Sequence, residues 1–192
     1  MATGFGLRLV GAINGNKARI REYFVPATDS TALLEGDVVE LASTGAMDGD
    51  SRVPVCTRAT AGHVLLGVVV GFRPDGTIPL TAQYRAASTA RYVLVCDDPD
   101  AIYEVQEDAA GGAVSAQAVG EMQNADIVVA AGSTVTGVSG TMLDSSTTSA
   151  SSANLKILGI RKDQTNAAAA TAGAVLRVMI LEHAVRTTDS VS

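Results

Sequence analysis

Apolar and polar positions alternate with a period near two along most of the chain, the pattern of strands that bury one face. In "RYVLVC", Tyr92, Leu94 and Cys96 alternate with Arg91, Val93 and Val95. In "AIYEVQE", Ala101, Tyr103 and Val105 alternate with Ile102, Glu104 and Gln106. Between them "DDPD" carries turn chemistry, with Asp98 suited to the first turn position, Pro99 to the second and Asp100 to the third. Arg91–Asp108 therefore reads as a strand–turn–strand hairpin. Its carboxylates stand where a turn and solvent-facing strand positions want them, so a metal or acid–base site is the weaker reading.

The same pattern recurs on both sides. "GDVVELAS" (36–43) leads from a turn into an apolar strand. "RVPVCTRA" alternates, but Pro54 lacks an N–H, which places it at a sheet edge or a strand entrance. "HVLLGVVVGF" (63–72) is continuously apolar and β-branched, as a strand buried on both faces would be. "LKILGI" and "AVLRVMILEH" are expected to pair, with Leu176, Val178 and Ile180 on one face. One short helix is predicted at Ser115–Ala125, with Ser115 as N-cap and Ala118, Val119 and Met122 on one side. Residues 132–154 are nearly all small and hydroxylated, so they are expected to form an extended loop or an arm lying on another surface. The fold class is all-β, a β-sandwich or jelly-roll type barrel with extended arms and at most one or two short helices. Residues 1–30 form an N-terminal arm or the first strands, and 31–192 a single β-domain.

Composition narrows function mainly by exclusion. A net charge of −6 argues against nucleic-acid binding, which wants a basic face. No apolar run approaches the roughly 20 residues of a membrane-spanning helix, and no basic segment precedes an apolar one as in a secretory leader. The two cysteines, Cys56 and Cys96, are expected to be free thiols of a protein made in a cytosol. "GAINGNK" has three residues between its glycines where a phosphate loop needs four, and lacks Ser or Thr after Lys17. His63 and His183 have no partner at metal-ligand spacing. No nucleophile, cofactor or metal motif stands out, and an enzyme is not expected.

Charge distribution says more. Before Phe24 the basic Arg8, Lys17, Arg19 and Arg21 face only Glu22, whereas 97–126 holds eight acids and no Lys or Arg. Either these are two solvated faces of unlike sign, or a basic arm meets an acidic face across a subunit interface. On the second reading Arg8, Lys17, Arg19 and Arg21 are the partner-contact residues.

"YRAASTARYVLVCDDPDAIYEVQED", "ADIVVAAGSTVTGVSGTMLDSSTTSASSANLKILGI" and "AVLRVMILEH" together resemble small virion proteins of tailed bacteriophages, the capsid decoration or cement proteins. The likeness runs from about Glu35 to His183. It implies a β-sandwich or jelly-roll domain that binds the outer surface of the major capsid lattice as a homodimer or homotrimer and stabilises the head. Its partners would be the major capsid protein and sister subunits, with no catalytic residues to carry over. The alternatives are another virion component (minor head, tail or fibre-base protein, or the shell protein) and, behind it, a carbohydrate-binding β-sandwich.

Overall fold

The computed structural model describes residues 4–42, 47–49, 52–74, 83–148, 153–162 and 172–186. Its strands are β1 (Arg8–Ala12), β2 (Ile20–Val25), β3 (Leu33–Leu34), β4 (Val38–Leu41), β5 (Cys56–Arg58), β6 (Gly67–Phe72) and β7 (Tyr84–Arg85). They continue with β8 (Arg91–Cys96), β9 (Ala101–Gln106), β10 (Asn124–Ala125), β11 (Ile127–Val128), β12 (Met142–Leu143), β13 (Leu155–Ile160) and β14 (Val175–Ile180). Two antiparallel five-stranded sheets result, ordered β1-β9-β14-β13-β10 and β2-β8-β6-β4-β5, with β3–β7 and β11–β12 as short ribbons. The protein is all-β. Among the described residues the one α-helix is α1 (Ala116–Gly120), and the Ser115 hydroxyl caps it by accepting from Ala118 N at 3.0 Å. Met122 lies past its end at φ 50° and is 48% exposed, so it leaves the apolar face expected of it.

Burial follows the alternation. Ala101, Tyr103 and Val105 of β9, Leu176, Val178 and Ile180 of β14, and Leu155 and Ile157 of β13 share one core cluster with Val38, Val68 and Cys96 of the second sheet. That sheet also buries its opposite face: Tyr23, Val25, Val39, Cys56, Val69, Val93 and Val95 surround Leu33 and Leu66. Val68 and Val69 thus enter different clusters, which explains the unbroken apolar run around them. Each such side chain contributes about 1.5–3 kcal/mol of transfer free energy. Gly67 is required by this packing, since a Cβ there would stand 2.1 Å from the Cys96 carbonyl oxygen. The second sheet curls until its edge strands touch: Phe24 and Val55 form a parallel bridge, and Phe24 N donates to Pro54 O at 3.0 Å. Pro54, two residues before edge strand β5, serves as an acceptor only, as its ring dictates.

One expectation changes in three dimensions, and two that were left as alternatives are decided. Strands β8 and β9 do not form a hairpin, because β8 lies between β2 and β6 while β9 lies between β1 and β14. The turn itself has the expected form, Ala101 N donating to Asp98 O at 3.1 Å. It carries the chain from one sheet to the other as a corner. Turn chemistry and alternation look alike in both cases; what differs is which strands claim the hydrogen-bonding edges.

Second, the first thirty residues supply β1 to the first sheet and β2 to the second, with Leu7 in the shared core. Third, the Ser/Thr-rich segment, where it is described, lies on its own chain. Ser139 Oγ donates to Asp37 Oδ1 at 2.5 Å, Glu35 N donates to Gly137 O at 2.9 Å, and Leu143 is in the core. Small residues are needed there because backbone packs on backbone: a Cβ on Gly140 would stand 2.3 Å from Ala131 O. The expected pairing of the last two strands holds, with Leu155 opposite Ile180 and Ile157 opposite Val178.

Candidate functional site

The basic and acidic segments singled out by charge do meet, but within one chain. At the corner between the sheets Asp97 is fully buried. Its Oδ1 accepts from Arg19 Nε at 2.8 Å, its Oδ2 accepts from the Tyr23 hydroxyl at 2.8 Å, and Arg21 Nε stands 3.5 Å from Oδ2. Arg19 also donates Nη2 to the Asp97 carbonyl at 2.7 Å and its backbone N–H to Asp98 Oδ2 at 3.0 Å. A buried carboxylate is tolerable only with such partners. The bond to Asp97 raises Arg19 above its ordinary value. Burial, reinforced by the bond to Asp97, pushes the Tyr23 phenol well up. Burial also pushes Asp98 up, but the Asp100 and Arg19 backbone donors outweigh it and hold the carboxyl below the usual range.

The C-terminal segment closes this end. Arg186 Nη2 donates to Pro99 O at 2.9 Å and stands 3.6 Å from Asp100 Oδ1. His183, 4% exposed, accepts from Val185 N at Nδ1 (3.1 Å), which leaves the proton on Nε2. That Nε2 is buried with no hydrogen-bond partner among the described residues. Backbone thus satisfies one of the two ring nitrogens. Nothing local in the sequence marked Arg186 or Tyr23 as members of the cluster.

The four basic residues have separate fates. Arg19 and Arg21 converge on Asp97, while Lys17 is exposed in the β1–β2 connection just before them. Arg8 is not brought to this end. It lies opposite Glu104 on the outer side of the first sheet, with its guanidinium 5.2 Å from the Phe5 ring centroid. The acidic run is not one solvated face either, since Asp97, Glu104 and Glu107 are all buried. Glu104 sits 3.4 Å from Arg177 and 3.8 Å from Arg161. Glu107 accepts from Val114 N at 2.6 Å and Gly173 N at 3.1 Å, and Asp108 accepts from Ser145 N at 3.0 Å.

Elsewhere the groups that resemble chemistry are also fastened down. His63 Nδ1 is 2.8 Å from Glu40 Oε2. Both cysteines are free and buried. Burial raises Cys56 to about 12 and lifts Cys96 as well, so both stay protonated thiols, poor nucleophiles and poor ligands. Burial raises Asp37 even though Ser139 and Leu34 donate to it. Among the described residues no group of three or more His, Cys, Asp or Glu could hold a metal ion.

No protein-family model, curated protein or solved structure matches the chain. What the geometry itself offers is an end of the molecule where Arg19, Arg21 and Arg186 gather against Asp97, Asp98 and Asp100, with exposed Lys17 two residues before Arg19. Ile13 joins it by donating its N–H to Asp100 O at 2.9 Å. Ile13 and Ile20 are 56% and 49% exposed, so the same end presents apolar side chains rimmed by charge. That is the make-up of a protein-contact surface.

His183 makes the closure of this end pH-dependent. Burial lowers it from its ordinary 6.5 to about 4, with Arg186 and Arg19 acting in the same sense and Asp97 and Asp98 opposing. Between those two values the unfolded chain binds a proton that the folded chain does not, so stability falls as pH drops from about 6.5 toward 4. The loss is on the order of 3 kcal/mol at most. Urea midpoints measured from pH 7 down to 4.5 are expected to fall in the native chain and to fall less steeply in His183→Gln. Equal slopes in the two proteins would remove His183 as the cause.

Proposed function

We propose that this chain is a structural virion protein of a tailed bacteriophage, a capsid decoration (cement) protein that binds the outer surface of the major capsid lattice and stabilises the head. Its two sheets form a sandwich of the jelly-roll type, and it works by contact with the major capsid protein and sister copies, not by catalysis. The observation that carries this reading is the use to which buried polar groups are put. Asp37, Asp97, Glu107 and Arg85 each fasten loops or strands of distant sequence to one another. Their chemistry is spent on holding shape. The likeness of strand phrases to cement proteins, set out above, supports the same reading.

Attachment is assigned to the end that carries Ile13, Lys17, Ile20 and Arg21. It is locally cationic on a chain of net charge −6, so it suits an acidic patch on the shell. Each contact can be weak, because many copies on a lattice act together.

Co-sedimentation with heads assembled without the protein tests this directly. The native chain is expected to saturate the heads at a regular ratio to shell subunits. The exposed-surface variant Ile13→Asp/Lys17→Glu should bind about tenfold more weakly, the loss of roughly 1.4 kcal/mol of contact. Added salt should weaken the native chain only modestly. No binding by the native chain would reject the cement reading, and saturation at a few copies per particle would move the chain to a minor virion component.

A further inference from the structure

The corner site uses only one end of β2, and the rest of that strand's outward face has no role in it. Tyr23 and Val25 turn into the second cluster, so Ile20, Glu22 and Phe24 point the other way. Across β8 they stand opposite Cys96, Leu94 and Tyr92. Beyond β8 the rows continue to Val68 and Gly71, and to Arg73, whose N–H donates to Tyr92 O at 3.0 Å. Only the first row runs under the other sheet, since Cys96 and Val68 belong to the shared core.

The next two rows are less covered than the side that faces the second cluster. Phe24, Tyr92 and Leu94 are half-buried, whereas Val25, Val93 and Val95, which face the other way, are at 0% exposure. Gly71 places no side chain beside Leu94. The Phe24 and Tyr92 rings pair at 5.1 Å between centroids, and the Arg73 guanidinium stacks 5.2 Å from the centre of Tyr92. Arg73 Nη1 reaches both oxygens of Glu22, at 3.1 and 3.2 Å. A cleft of about 370 Å³ adjoins, lined by Phe24, Arg73, Pro74, Ala90, Arg91 and Tyr92. Half-covered aromatics beside an arginine are the residue types that dominate protein-contact energies.

We propose that this β2–β8 face is a two-fold interface with a second copy of this chain. The charge pattern selects the occupant. Glu22 and Arg73 set opposite charges side by side on the face that carries Phe24, Tyr92 and Leu94, and such a pair is complementary to itself under a two-fold rotation. Turned over, it brings Glu22 to the partner's Arg73 and Arg73 to the partner's Glu22, while the Phe24–Tyr92 pairs fill the space between. An anionic polymer would leave Glu22 opposed, and a cationic partner would leave Arg73 opposed. The interface is distinct from the Lys17 end, so a dimer leaves that end available. It therefore stands or falls separately from attachment to a shell.

Sedimentation velocity on the full chain, without particles, tests it. The native chain is expected to be a dimer at micromolar concentration. Glu22→Arg leaves two positive charges on each face and Arg73→Glu leaves two negative ones, so each variant alone should dissociate at least about tenfold more readily. An equimolar mixture of the two variants should form a heterodimer, which a pair acting only within one chain cannot produce. Circular dichroism and melting curves establish that each variant is folded. If either is not, Leu94→Cys replaces them: the native cysteines are buried, and oxidation should give a covalent dimer. A native monomer or trimer, variants as dimeric as the native chain, a folded mixture with no heterodimer, or no cross-link at Leu94→Cys would each overturn the proposal.

Discussion

Deleting residues 1–18 is expected to leave a chain that no longer folds. The deletion removes β1, which pairs with β9 through Arg8–Glu104, Leu9–Tyr103, Gly11–Ile102 and Ala12–Ala101. It also removes Leu7, 2% exposed in the shared core, whose N–H donates to Gly36 O at 3.0 Å. Losing Leu7 and half-buried Leu9 forfeits about 1.5–3 kcal/mol for the first and part of that for the second. The lost strand bonds add about 1 kcal/mol each. Together this approaches the roughly 5–15 kcal/mol that holds a domain folded at all. In addition, β9 becomes a bare edge over the main core, an invitation to aggregate. Far-UV circular dichroism and the soluble yield measure it. A soluble deletion product with a cooperative unfolding transition would return the N-terminal segment to the status of an arm.

Arg85→Ala is expected to cost about 3–5 kcal/mol, the range for breaking a buried, multiply bonded charge. Arg85 is fully buried at the end of the β3–β7 ribbon. Its Nε donates to Thr89 O at 2.7 Å and its Nη2 to Pro26 O and Asp29 O at 2.7 and 2.8 Å, while Nη1 donates to Thr31 O. Its Nη1 also lies 3.7 Å from the Asp29 carboxylate, which itself accepts from Thr31 N and from the Thr57 hydroxyl. One side chain thus ties the 26–31 loop to the 85–89 turn. Alanine leaves those carbonyls without their donor and opens a cavity where the buried guanidinium stood. Arg85→Lys should recover less than half of the loss, because a single ammonium cannot reproduce a planar fork aimed at acceptors on several sides. Urea denaturation of the three proteins decides it. A loss below about 1 kcal/mol for Arg85→Ala would show that water or neighbouring donors replace the guanidinium.

Arg85 also shows where sequence reading stops. It sits in "QYRAAST", a polar run with no periodicity and no motif, and no local signal separates it from a solvated surface arginine. Its partners are distant in sequence, Pro26, Asp29 and Thr31 among them. The Asp97 corner is similar. Opposite charge made an attraction between the basic and acidic segments legible, but not that Arg19 reaches Asp97 of its own chain across 78 positions. Nothing near His183 in the sequence marked it as a histidine whose Nε2 is buried.

By itself the sequence determined what interactions within a few residues decide. The alternating runs became strands because a half-buried strand needs one apolar side. The Asp98–Ala101 turn formed because Pro99 presets its φ and Asp100 suits the following position. Ser115 capped α1 because its hydroxyl meets an N–H three residues on. Tertiary structure alone decided whether β8 and β9 would pair, since hydrogen-bonding edges go to whichever strands pack beside them. For β9 those are β1 and β14, brought from opposite ends of the chain by their apolar faces. It also decided that the small-residue segment lies on its own body. Such residues have too little apolar surface to choose a place, and what orders them is the fit of bare backbone against neighbours that the core has already positioned.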